Sequence, residues 1–171
     1  MKKHFLVAFV IALCFTTATA NADTLITNTG APFKVTAKFG GPTDTTITTP
    51  DWIEVKKQTS EFADGWQTVT ISTIIQPTDE PREGEITIHF GTITTQRFKV
   101  KQAGALRVKN KDDTITTQIP VAQIESVYFV PYRGDYEVVP LNASNIVAPK
   151  QRGWLFVKTR NGNTYSTWLF D

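Results

Sequence analysis

The stretch Phe33-Lys34-Val35-Thr36-Ala37-Lys38-Phe39, closed by Gly40-Gly41-Pro42, sets the fold class. Apolar and polar residues alternate with a period of two, the spacing of a strand with one buried face. The alternation returns downstream. Val69, Ile71 and Thr73 alternate with Thr68, Thr70 and Ser72, and Ile86, Ile88 and Phe90 with Glu85, Thr87 and His89. Phe98 and Val100 alternate with Arg97, Lys99 and Lys101, and Ile53 and Val55 follow Trp52. Turn-rich pieces separate the runs: Pro77-Thr78-Asp79-Glu80-Pro81, Glu83-Gly84 and Phe90-Gly91-Thr92. No helical period of useful length interrupts them. One polar and one apolar face per strand is what an antiparallel sandwich needs, so the expected class is all-β.

Composition bounds the rest. The 171 residues are 40% hydrophobic and 20% charged, which excludes disordered and collagen-like chains. A single Cys excludes a disulfide framework and any Cys-based zinc site. Two His leave little material for a general base or a metal centre. Thr is abundant, which favours strands.

Met1 to Ala22 reads as a secretory signal peptide. Lys2 and Lys3 form its basic start, Phe5 to Phe15 its apolar run, and Ala18-Thr19-Ala20 and Ala20-Asn21-Ala22 offer small-x-small cleavage sites. The run is too short to persist as a membrane-spanning helix, so no stable span is expected in the mature chain. Leu13 before Cys14 argues against a lipid-modified start. Cleavage after Ala22 removes two lysines and no acid, leaving sixteen basic against sixteen acidic residues. A net charge near zero gives no electrostatic case for nucleic acid or an anionic membrane. The expectation is an exported protein: periplasmic, surface-bound or extracellular.

Residues 23–104 carry an ordered set of motifs: Pro50-Asp51-Trp52-Ile53-Glu54-Val55, then Thr68-Val69-Thr70-Ile71-Ser72, then Arg82-Glu83-Gly84-Glu85-Ile86-Thr87-Ile88. Phe98-Lys99-Val100-Lys101-Gln102-Ala103-Gly104 ends the set. This order resembles the BACON domain family over about residues 30–104. The family commonly has an Asn shortly before the Arg, whereas Gln76 to Pro81 contains none. The resemblance implies an immunoglobulin-like β-sandwich in a secreted or surface protein of a Gram-negative bacterium; the family's name records a proposed, not general, carbohydrate-binding role. In physical terms Trp52 is expected to fill the space between sheets. Gly84 should answer a tight turn or a close approach. Arg82 should sit at a solvated rim or beside a local carboxylate.

Residues 105–171 restart the pattern as a small second β-rich domain. Leu106 and Val108 alternate with Arg107 and Lys109, Pro120 to Glu125 can form one helical turn, and Val127 and Phe129 open another strand. Gly134-Asp135 turns into Tyr136 to Leu141. Asn161-Gly162, between Trp154 to Arg160 and Asn163 to Phe170, predicts a C-terminal hairpin with a two-residue type I′ loop. In that register Val157 faces Ser166 and Leu155 faces Trp168, with Trp154, Phe156 and Tyr165 on the opposite face.

Chemistry is sparse. No G-x-S-x-G elbow, H-E-x-x-H, phosphate loop or calcium loop occurs. His89, the one His left after cleavage, alternates outward, and the acid pairs Asp79/Glu80, Glu83/Glu85 and Asp112/Asp113 sit in or near turns. Neither catalysis nor a metal or cofactor is expected. Two readings remain. A glycan-binding module would use exposed rings, with Trp66 beside Gln67 in the first domain and Tyr132, Tyr136, Trp154 and Tyr165 in the second. A structural spacer or protein-contact subunit of a surface assembly would use free strands instead. The partner is accordingly a glycan or an envelope protein.

Overall fold

The computed structural model describes Val10, Ile11, Thr17, Ala18, residues 24–132 and residues 139–170. Most of the expected signal segment lies outside these residues, as do Cys14, the Gly134-Asp135 turn and Tyr136. Val10–Ile11 pairs in parallel with Thr24–Leu25, and Thr17–Ala18 with Lys34–Val35.

Among the described residues the structure is all-β apart from one 3₁₀ turn at Val121–Gln123, where a single helical turn was expected. The chain divides into two compact units. In the first, β1 (Thr24–Ile26), β2 (Phe33–Gly40), β3 (Thr45–Thr48), β4 (Ile53–Ala63), β5 (Trp66–Ile75), β6 (Arg82–Phe90) and β7 (Thr94–Gln102) form two sheets. One runs β1-β7-β6-β3 with Val10–Ile11 beside β1, the other β2-β5-β4 with Thr17–Ala18 beside β2. Phe33, Val35, Val69 and Ile71 from the second sheet meet Ile86, Ile88, Phe90, Phe98 and Val100 from the first in one buried core. Two sheets with their apolar faces on a common core make a sandwich. Trp52 packs half-buried against that core. A Cβ on Gly84 would lie 2.5 Å from Pro50 Cγ and 3.0 Å from Trp52 Cζ2, so this glycine answers a close approach rather than a turn.

The second unit contains β8 (Gly104–Ala105), β9 (Val108–Lys111), β10 (Thr114–Thr117), β11 (Ile124–Pro131), β12 (Val139–Leu141), β13 (Ile146–Val147), β14 (Gly153–Thr159) and β15 (Thr164–Leu169). One sheet runs β8-β15-β14-β11-β12 and the other β9-β10-β13. Val127, Phe129, Leu155, Val157 and Leu169 pack with Leu106, Ile115 and Ile146. Two pieces from earlier in the chain, residues 27–29 and 77–82, belong to this unit. The Asn28 N–H donates to Ser166 Oγ at 2.9 Å, and the Ala105 N–H donates to the Asp79 carbonyl at 2.8 Å. Arg82 Nε donates to Gln102 Oε1 at 2.9 Å. Gln102 is itself buried and turns its Nε2 to the Thr27 and Asn28 carbonyls. Gly104 admits the Asp79 carbonyl and Pro81, each 2.7 Å from where a Cβ would stand. The Arg and Gln-x-Gly motifs are therefore structural contacts.

The C-terminal hairpin forms, one residue out of the expected register. Trp154 pairs with Trp168, Phe156 with Ser166 and Val157 with Tyr165. The loop has three residues, not two: the Thr159 N–H donates to the Asn163 carbonyl at 2.8 Å, and the Gly162 N–H to the Thr159 carbonyl at 2.9 Å. A type I′ loop needs positive φ at both central residues, but only Gly162 (φ 89°) is left-handed. The Asn161 side chain instead accepts from Thr159 Oγ1 and from the Asn163 N–H.

Candidate functional site

Trp66 opens β5 directly after the two-residue turn Asp64-Gly65, whose φ values of 53° and 80° close the β4–β5 hairpin. The ring stays 54% exposed. Register places Trp66 between Gly40 of β2 and Ala63 of β4, and its Cζ3 lies 3.9 Å from where a Cβ on Gly40 would stand. A small residue on each side leaves the ring open above the sheet. Gln67 next to it is not a ligand group. Alternation turns it inward, where it is buried and clips the Gly41–Thr45 loop to the hairpin. Its Oε1 accepts from the Thr43 N–H at 2.8 Å, while its Nε2 donates to the Thr43 carbonyl and to Ser60 Oγ, each at 2.9 Å. The Gly41 N–H, donating to the Gly65 carbonyl at 3.0 Å, ties the same loop to the turn.

Behind Trp66 the outer face of β2-β5-β4 is a regular array. Successive rows read Lys38, Thr68, Glu61, then Thr36, Thr70, Thr59, then Lys34, Ser72, Lys57. The Thr36 and Thr70 hydroxyls hydrogen-bond at 3.3 Å. The lysines are exposed and the hydroxyl residues half-buried. Rows repeat every ~6.7 Å along a strand and columns every ~4.8 Å across the sheet, giving a face of roughly 20 by 10 Å. Such a surface offers hydroxyl and ammonium groups along its length and one apolar ring at its end.

The rings of the second unit are arranged differently. Trp154 is 9% exposed, so it is not the open ring that the sequence suggested; the register shift sets it against Trp168 at 5.4 Å between centroids. Tyr132 (55% exposed) meets Trp168 edge-on at 5.4 Å, and Phe170 (76% exposed) meets Trp168 edge-on at 6.1 Å. Sequence reasoning had not chosen Trp168 or Phe170. Tyr132 and Trp154 are thus brought together through Trp168. Tyr165 lies apart, half-buried against the core and lining a cavity of about 380 Å³ with Asp79, Glu80, Arg107, Gln118 and Gln123. Gln118 is committed to structure, accepting from the Arg107 N–H at 2.8 Å and donating to the Ala105 carbonyl at 3.1 Å.

Among the described residues no cluster of His, Cys, Asp or Glu could hold a metal ion, and no helix is long and apolar enough to cross a membrane. His89 is hydrogen-bonded at Nδ1 to Thr95 Oγ1 at 2.9 Å on its strand surface. No protein-family model and no curated protein matches the chain. Among solved structures, the crystal structure of the Pseudomonas aeruginosa CupB2 chaperone is similar at 12% identity and a TM-score of 0.28, over 88% of this chain and 98% of that one, a likeness too slight to bear on function.

Proposed function

We propose that this chain is an exported, non-catalytic module of the cell envelope that holds carbohydrate against the outer face of its first unit. The observation that carries the reading is the open Trp66 ring at the end of a hydroxyl-lined, three-stranded face. Sugar rings present an apolar face that stacks on an indole and hydroxyls that exchange hydrogen bonds with Thr and Ser. The signal-like start and the ordered set of Trp52, Arg82-x-Gly84 and Gln102-x-Gly104, which resembles BACON domains, support the same reading. One stacked ring contributes about 0.5–1.5 kcal/mol, so monovalent affinity should be weak. A glycan array probed with wild type and Trp66→Ala tests the reading. It expects saturable binding that the variant weakens roughly threefold to tenfold. Unchanged binding in Trp66→Ala would place the site elsewhere.

The alternative, a protein-contact subunit of a surface assembly, has its own observation. The exposed rings of Tyr132 and Phe170 stand edge-on to Trp168, which makes an uneven apolar knob rather than a flat stacking surface. Such a knob fits a protein pocket better than a sugar chain.

A further inference from the structure

The whole chain balances its charges once the leader is removed, but the first unit does not distribute them evenly. Three lysines, Lys34, Lys38 and Lys57, stand on the outer face of β2-β5-β4, and Glu61 is the one acid in the rows they occupy. Neighbouring Glu54 is already matched, by Lys56 Nζ at 2.6 Å. Among the described residues neither these three lysines nor Glu61 has an ion-pair partner. Asp64 adds a second acid at the hairpin tip beside Trp66. The face is therefore graded, with the acids Asp64 and Glu61 and the single Lys38 near the ring, and Lys34 and Lys57 flanking Ser72 about 20 Å from it, three strand rows away.

We propose that this face takes an acidic polysaccharide, one whose sugar rings carry carboxylate or sulfate groups. The inference rests on the carbohydrate reading above and adds the ligand's charge and length. A sugar ring stacks on Trp66, the chain runs along β5 over Thr68, Thr70 and Ser72, and its anionic groups meet Lys38 and then the Lys34–Lys57 row. Neutral glycans leave those lysines unused. A monosaccharide cannot reach from the ring to the far row, so affinity should rise with chain length and fall with salt, because exposed charges are screened within about 10 Å at ordinary ionic strength.

Affinity electrophoresis of the mature protein tests this, with polygalacturonate, dextran sulfate, neutral dextran and single-stranded DNA as the gel-borne probes. The expected result is retardation by polygalacturonate or dextran sulfate, well above that by dextran. Retardation compared at matched charge per sugar identifies the anion as carboxylate or sulfate. Lys34→Ala/Lys38→Ala should weaken this binding about tenfold and Trp66→Ala several-fold, while exposed-lysine changes leave folding intact. Equal retardation by dextran, unchanged in the lysine variant, would overturn the acidic ligand while leaving carbohydrate binding in place. No retardation by any polysaccharide would overturn both. DNA retarding as strongly, with Trp66→Ala behaving as wild type, would reduce the effect to plain charge attraction and overturn the proposal.

Discussion

Trp52 and Trp66 lie fourteen positions apart and do opposite things. Trp52 leans on the core beside Gly84, whereas Trp66 stands between Gly40 and Ala63 with about half of its surface exposed. Truncating a ring that packs on a core removes apolar contact and leaves a cavity, so Trp52→Ala should cost about 3 kcal/mol. Trp66→Ala should cost less than about 0.5 kcal/mol, as for most exposed positions. Urea unfolding of both variants checks the pair, and equal midpoints would contradict it. This division is legible in the sequence, because Trp52 opens an alternating apolar run while Trp66 follows the Asp64-Gly65 turn. The role of Gln67 is legible too once alternation is applied strictly, since Val69 and Ile71 share its inward face. Its neighbour's exposure suggested a ligand group, and the period of two overrules that. The pairing of Arg82 with Gln102 is not legible, because twenty residues of strand and turn separate the two side chains.

At the level of elements, the two hairpins show what a turn signal does and does not specify. Asp64-Gly65 makes a two-residue loop, with both residues left-handed and Ala63 paired to Trp66. Asn161-Gly162 gives the hairpin but not its register, because Asn161 spends its side chain on Thr159 and Asn163 and only Gly162 turns left-handed. One residue of slip moves every side chain to the other face. That slip puts Trp168 against Trp154 and sends Tyr165 to the core side, which redistributes the rings that the expected register grouped on one face. Gly162 has open space around its missing Cβ, so Gly162→Ala should act through backbone strain alone and cost about 1–2 kcal/mol. Thermal unfolding reads this directly. A loss below the resolution of the scan would mean that the loop relaxes to another form. The β4 edge is blunted in a different way, by a register shift between Val55 and Lys57 and by Lys56 and Lys57 at the bulge, devices that discourage strand addition.

Across the whole molecule, period-two alternation made the all-β class readable, and the break near residue 104 made a second β-rich unit readable. The recruitment of residues 27–29 and 77–82 into that unit was not, since it depends on contacts with Ser166 and Ala105 far along the chain. The graded face was equally hidden. Lys34, Lys38 and Lys57 come from two strands, and only the pairing of both with β5 gathers them around Thr68, Thr70 and Ser72. A chain-wide balance of 18 basic against 16 acidic residues therefore misleads about local charge, and binding should respond to salt all the same. This face, rather than the ring knob of the second unit, is where we propose that the protein meets its partner. Backbone-amide NMR of the mature protein, titrated with polygalacturonate oligomers, tests it most directly. Shifts are expected along residues 34–38, 57–61 and 66–72, growing with oligomer length; shifts confined to Tyr132, Trp168 and Phe170 would place the contact on the second unit instead.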